Sequence, residues 1–190
     1  MQDQTVNLKI LANDLVSKMK YLISLGSNIG NGLKNLSDAI SMLEEKSVSI
    51  DDCSSVYCSA PIDYVSQADF LNVSVLAETD LEPDQLLNTL KCIEKKMGRK
   101  KTFLKGPRKI DLDIIFWEKG NHHSDMLSIP HKEAMKRLFV IFPTLEIIEN
   151  SPHFEEEKEK LQEILEEEKE QFVGQRIEKV CPFEIKECLK

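Results

Sequence analysis

Two rhythms of apolar residues organise the chain. Tyr21 to Leu25 form a short apolar run closed by Gly26-Ser27-Asn28, a turn signal, and predict a buried strand. Leu33, Leu36, Ile40 and Leu43 then recur at helical spacing behind Asn31, a candidate cap. Val48 to Ser59, rich in β-branched and small residues, predict one strand of imperfect alternation; Ala60-Pro61 breaks it and a polar loop follows through Asp69. From Phe70 the alternation is clean: Leu71, Val73, Val75 and Ala77 make one face, Phe70, Asn72 and Ser74 the other. Pro83 suits a first helical position, and Leu86, Leu90, Ile93 and Met97 continue a helical stripe that Gly98 ends. Ile110 to Trp117 predict the last clear strand.

The order β-α-β-β-α-β predicts an α+β fold of the ferredoxin-like split type, an antiparallel sheet with both of these helices on one face. Beyond it, Ile129-Pro130-His131 opens a turn, and Arg137 to Thr144 predict a short helix or turn covering the sheet. Residues 153–172 are Glu-rich, yet Leu161, Ile164, Leu165 and Phe172 supply the apolar stripe of an added C-terminal amphipathic helix. Residues 19–190 are expected to form one domain. Residues 1–18 are expected to be a poorly ordered extension, since Leu8, Leu11, Leu15 and Met19 make only a weak stripe in so short a segment.

Charge and cysteine usage narrow the functions available to this domain. The net charge is −8, from 25 basic and 33 acidic residues, which disfavours nucleic acid and anionic membranes as partners. No apolar run approaches the roughly 18 to 20 residues that span a bilayer, and the first 18 residues lack the apolar block of a signal peptide. Five cysteines without a C-x-x-C pair suit free thiols in a reducing cytoplasm. A cytoplasmic monomer acting on small molecules is the expectation. Against this acidic background, eight basic and no acidic residues lie between Lys95 and Lys109. The stretch reads either as a solvated helix end with a charged loop or as the place where a compact polyanion is handled.

Asp111 and Asp113, two apart on the last strand, project from one face, while Ile110, Leu112 and Ile114 point into the core. Such a pair can share magnesium, which is usually held by one or two carboxylates plus phosphates and water. Gly106-Pro107-Arg108 makes a stiff turn that aims a guanidinium along the same edge, an arrangement suited to a triphosphate. A bare D-x-D also occurs on solvated edge strands. The five fixed residues of Gly-Pro-Arg-x-x-Asp-x-Asp are rarer, with a chance match on the order of 10⁻⁴ at roughly 5% usage each. No Gly-x-x-x-x-Gly-Lys-Ser/Thr loop is present, so phosphate handling of the P-loop kind is excluded.

At these landmarks the chain resembles the 6-hydroxymethyl-7,8-dihydropterin pyrophosphokinase family, from Lys20 to about Ile148 and more weakly into the final helix. The resemblance rests on Tyr-Leu-Ile-Ser-Leu-Gly-Ser-Asn (21–28), Asp-Phe-Leu-Asn-Val (69–73) and Glu94 to Arg99. It rests further on Gly-Pro-Arg-Lys-Ile-Asp-Leu-Asp-Ile-Ile (106–115), and on Ile-Pro-His (129–131) with Arg137 and Phe139. It implies a ferredoxin-like fold and transfer of pyrophosphate from ATP to a pterin alcohol in folate biosynthesis. It also implies that Asp111 and Asp113 hold two magnesium ions between the phosphates and the pterin oxygen. Arg99 and Arg108 match arginines that neutralise the transferring phosphates; His131 and Arg137 match nucleotide contacts, and Glu94 lies on the helix bordering that site. A second basic residue of the loop, Lys101 or its neighbour Lys100, matches a further ATP contact. Phe70 and Phe139 match an aromatic pair enclosing the pterin ring, Asn72 the amide at its polar edge, and Ser59, Pro61 and Ile62 the loop beside it.

The chain departs from the family pattern where Lys105 replaces an aromatic residue and Lys132 a tyrosine, both on the ATP side. Arg99 to Lys105 is expected to form a lid between Gly98 and Gly106-Pro107. Two competing readings are an RNA-recognition module, opposed by the −8 charge and the missing aromatic run, and a catalytically weak relative that binds pterin or nucleotide only.

Overall fold

Tyr21, Ile23 and Leu25 project from one side of strand β1 (Met19–Ser27) and Leu22 from the other, and all four are fully buried. Both faces of the sheet to which β1 belongs are therefore covered. The computed structural model describes residues 18–62, 66–99, 106–149 and 151–183. The expectations placed on residues 1–17 and on the basic loop 100–105, Lys101 included, lie outside the described residues.

Helix α1 (Gly32–Glu44) begins where Asn31 Oδ1 accepts the Lys34 N–H at 3.0 Å, the predicted cap. It buries Leu36, Ala39, Ile40 and Leu43, whereas Leu33 in its first turn is exposed. The segment from Val48 to Ser59, expected to be one strand, is two: β2 (Ser49–Cys53) and β3 (Val56–Ser59), both antiparallel to β4 (Phe70–Thr79). The break falls at Ser54-Ser55. Ser54 Oγ accepts the Ser74 N–H at 3.0 Å and donates to the Ser55 carbonyl at 2.8 Å. A side chain thus takes over a ladder bond, and the strand kinks.

Pro83 is the first residue of α2 (Pro83–Lys96), and Gln85 closes a capping box by accepting the Glu82 N–H at 3.0 Å. Leu86, Leu90 and Ile93 are buried as their spacing predicts, and Gly98, at φ 88°, turns the chain away. Strand β5 (Asp111–Trp117) then pairs with β1. The sheet runs β5-β1-β4-β3, with β2 also on β4, which is the ferredoxin-like order. Strand β8 (Ile177–Cys181), which sequence reasoning did not find, adds to the far edge of β3. Strands β6 (His122–His123) and β7 (Ser128–Ile129) form a separate small ribbon.

Helices α1 and α2 pack against Tyr21, Val73, Val75 and Leu112 on one face. Helices α3 (Leu138–Ile148) and α4 (Glu155–Glu167) cover Leu22, Leu76, Ile115 and Phe116 on the other. The short helix or turn expected over Arg137 to Thr144 is thus the longer α3. The helix expected over 153–172 is α4 followed by a single tight turn, Lys169–Phe172. Leu161, Ile164 and Phe172 are buried, and three glutamates in the first turn of α4 suit its dipole.

Candidate active site

Strand alternation places Asp111 and Asp113 on the face of β5 that also carries Ile115, and all three border one cleft at the end of the sheet. Asp111 is the more enclosed carboxylate. Burial pushes its pKa above the ordinary carboxylate value and the neighbouring Asp113 adds to this, while Arg108 and Arg99 oppose it. Arg99 Nη1 pairs with Asp111 Oδ1 at 2.8 Å and also with Glu94 Oε2; Arg108 Nη1 pairs with Asp111 Oδ2. Arg108 is held in turn by Asn28: its N–H donates to Asn28 Oδ1 at 2.7 Å and its carbonyl accepts the Asn28 N–H at 3.0 Å. Strand β1 thus runs on through Gly26 and Ser27, where the sequence predicts a turn, and Asn28 just past its end anchors the Gly-Pro-Arg segment.

Glu94 is nearly fully buried, and both its oxygens are engaged within the protein: Oε1 by the Leu112 N–H and by Lys91 Nζ, Oε2 by Arg99. Lys91 also reaches Asp113 at 3.4 Å. Sequence reasoning passed over this lysine, since a Lys-Glu pair three apart on a helix looks like ordinary surface charge. Three cations thus stand around two aspartates.

The other end of the cleft is less charged. Phe70 and Asn72 project from β4, Phe139 and Arg137 come from the start of α3, and Ser59, Pro61 and Ile62 form the adjoining rim. Asn72 Nδ2 donates to Ser59 Oγ at 2.9 Å, which ties the strand to that rim. The Arg137 guanidinium lies 5.8 Å from the Phe139 ring centroid. His131 also borders the cleft, placed by its N–H donating to the Ile115 carbonyl at 3.0 Å. Gly26 of β1, read from the sequence as part of a turn and not as a site residue, forms part of the lining; a Cβ there would stand 3.3 Å from Asn72 Oδ1. A second depression, beside Asp113, is lined by Lys91, Leu127, His131 and Lys132.

The predicted site residues therefore meet in one place, apart from Glu94 and Arg99, which back the aspartates from outside the lining, and Lys101, which lies outside the described residues. No described helix is long and apolar enough to cross a membrane.

Sheet order and cleft define a ferredoxin-like α+β domain with an acid-and-arginine site at one end of its sheet and an aromatic pocket beside it. The sequence profile of the family described as 7,8-dihydro-6-hydroxymethylpterin-pyrophosphokinase matches residues 22–149, and the chain belongs to that family. The 2-amino-4-hydroxy-6-hydroxymethyldihydropteridine pyrophosphokinase of Aquifex aeolicus is 39% identical over 131 residues, 69% of this chain and 81% of that protein. A folate synthesis bifunctional protein of Arabidopsis thaliana is 40% identical over 130 residues, 68% of this chain but 27% of the plant protein. The chain thus spans about a quarter of the length of that longer relative. Among solved structures, wild-type Plasmodium falciparum HPPK-DHPS superposes with a TM-score of 0.59 at 16% identity, over 83% of this chain and 43% of that one, a likeness of fold.

Proposed function

We propose that this protein transfers pyrophosphate from ATP to the hydroxymethyl group of 6-hydroxymethyl-7,8-dihydropterin, releasing AMP, as a step of folate biosynthesis. The observation that carries the reading is the sharing of one cleft by the Asp111-Asp113-Arg108 cluster and the Phe70-Asn72-Phe139 pocket. One end suits phosphates, the other a flat ring with a polar edge.

The donor set fits magnesium. Two carboxylates carry hard oxygens on one strand face, those of Asp111 paired here with Arg99 and Arg108, and no group of three or more His, Cys, Asp or Glu that could hold a metal ion occurs among the described residues. Asp111 and Asp113 would hold two magnesium ions, which would also take phosphate oxygens and water. When bound, magnesium neutralises phosphate charge and favours deprotonation of an alcohol it contacts.

The remaining steps belong to the chain. Phe70 and Phe139 enclose the ring, and Asn72, with the Ser59 to Ile62 rim, orients it so that its hydroxymethyl oxygen faces the phosphates. Arg108, braced by Asn28, and Arg99 offset the charge that develops as the hydroxymethyl oxygen gives up its proton to solvent water and bonds to the β-phosphorus. The bond from that phosphorus to the oxygen bridging the α- and β-phosphates breaks, and the electron pair leaves with AMP. His131, Arg137 and the basic loop with Lys101 hold the nucleotide. Catalysis of this kind is largely positioning and electrostatic stabilisation.

The protein is proposed to work as a cytoplasmic monomer on these small molecules, without nucleic-acid or membrane partners, in keeping with its acidic charge and with Cys58, Cys92 and Cys181 as free thiols. The test is AMP release measured with ATP, magnesium and 6-hydroxymethyl-7,8-dihydropterin together and with each omitted. Production that requires all three supports the assignment; ATP consumption indifferent to the pterin overturns it.

A further inference from the structure

We propose that Gln175 and Arg176 are positioning residues for the ring-binding pocket, acting as a clip that joins its two walls; this rests on the pterin reading given above. Both residues lie beyond residues 22–149, the part of the chain that the family profile matches. Gly174, at φ 86°, turns the chain after the Lys169–Phe172 turn and presents two successive residues to two different walls.

Gln175 holds the first wall. Its Oε1 accepts the Leu138 N–H at 2.9 Å, and its Nε2 donates to the Lys136 carbonyl at 2.7 Å. One side-chain amide therefore brackets the backbone of Arg137, which is extended (φ −129°, ψ 108°) and has no side-chain cap of its own. The Leu138 N–H is one of the donors that a helix start leaves without an intrahelical partner, and Gln175 supplies its acceptor from across the structure. The residue fixed in this way is followed at once by Phe139.

Arg176 holds the second wall. Its carbonyl accepts the Ala60 N–H at 3.1 Å, between Ser59 and Pro61, and its guanidinium donates to Asp69 Oδ2 at 2.6 Å, next to Phe70. Phe70 and Phe139 come from different elements on different layers. The pair Gln175-Arg176 links the backbone beside one to the backbone beside the other. Loosening the clip should widen the gap between the two rings without touching the aspartates.

The test compares the full chain with its Gln175→Ala, Arg176→Ala and Arg176→Lys variants. The Arg176–Asp69 pair is exposed, so Arg176→Ala should fold and raise the pterin KM by about 5-fold. Losing two hydrogen bonds, Gln175→Ala should raise it by about 10-fold or more, with kcat within about twofold of the parent in both. Arg176→Lys should recover most of the loss, and Arg176→Ala should leave the KM for ATP unchanged. Independently of turnover, the Leu138 amide should exchange faster in Gln175→Ala but not in Arg176→Ala. Unchanged pterin KM in both alanine variants, or a fall in kcat and melting temperature at constant KM, overturns the clip. Should the parent neither turn over nor bind the pterin, the pyrophosphokinase reading fails; the clip then stands or falls on exchange at Leu138 alone.

Discussion

Glu94 on α2 accepts the N–H of Leu112 at 2.8 Å, and Lys91, one turn earlier, donates to the Leu112 carbonyl at 2.9 Å. Leu112 is the residue between the two aspartates, and β5 is an edge strand. Two side chains at i and i+3 on a helix supply the partners that a neighbouring strand would give, and so fix the peptide from which both carboxylates project. Glu94 thus serves the aspartates first.

Replacing Glu94→Gln keeps an acceptor for the Leu112 N–H but removes the charge facing Arg99 and Lys91. AMP formation should fall by about 10-fold or more, the usual cost of losing a residue that orients ligating groups. A parental rate from the folded variant would show that the charge is idle.

The two aspartates should respond differently to loss of charge. Asp113→Asn changes a partly exposed group whose cation, Lys91, keeps Glu94 and the Leu112 carbonyl. Turnover should drop by orders of magnitude while the melting temperature stays near that of the parent. Asp111→Asn removes the shared partner of Arg99 and Arg108 and should lower turnover too, but because burial already disfavours the Asp111 charge the melting temperature should hold level or rise. Near-normal AMP production by Asp113→Asn would remove this pair from the reaction.

Alternation put Asp111 and Asp113 on one face, because a strand that buries Leu112 and Ile114 on one side must turn its alternate residues to the other, and the Gly-Pro-Arg run before them marked that face as a site. The helices were legible from their own period, with Leu86, Leu90 and Ile93 one turn apart. What could not be read arises from contacts between distant segments. Ser54 breaks a strand only because Ser74 stands opposite to bond with its hydroxyl. Strand β8 exists because β3 offers it an edge; its own sequence, Ile-Glu-Lys-Val-Cys, has no consistent apolar face, and Val180 is exposed. Lys91 becomes part of the site only when β5 is laid beside α2.

Gly26 gives a direct measure of how closely the pocket is shaped. The Cβ added in Gly26→Ala would stand 3.3 Å from Asn72 Oδ1, close enough that Asn72 must give by a few tenths of an ångström, while at 3.9 Å the Phe70 ring would be in ordinary contact. Binding of the pterin should weaken by about 10-fold, and Phe70→Ala and Asn72→Ala should weaken it too, whereas a non-hydrolysable ATP analogue should bind much as before. Equal losses for both ligands in calorimetry would mean that these residues only support the sheet.

Glu146 sets an acid limit on the same region. On α3 its carboxylate accepts the Tyr57 hydroxyl at 2.7 Å, the Ser55 hydroxyl at 2.7 Å and the Lys179 ammonium at 3.0 Å, so one side chain joins α3, β3 and β8. Burial alone would raise its pKa, but the bonds from Tyr57, Ser55 and Lys179 outweigh burial and hold it below the ordinary value. A carboxylate depressed on folding stabilises the fold fully above its unfolded pKa, and that contribution is lost as pH falls through the folded value. Glu146→Gln should therefore melt below the parent at pH 7, and the gap should close as pH falls through and below the ordinary glutamate range. Because β8 carries the chain on from Gln175-Arg176, the parent should also lose pterin affinity over that range before it unfolds. A melting gap that stays constant with pH would show that Glu146 acts through its shape and not its charge.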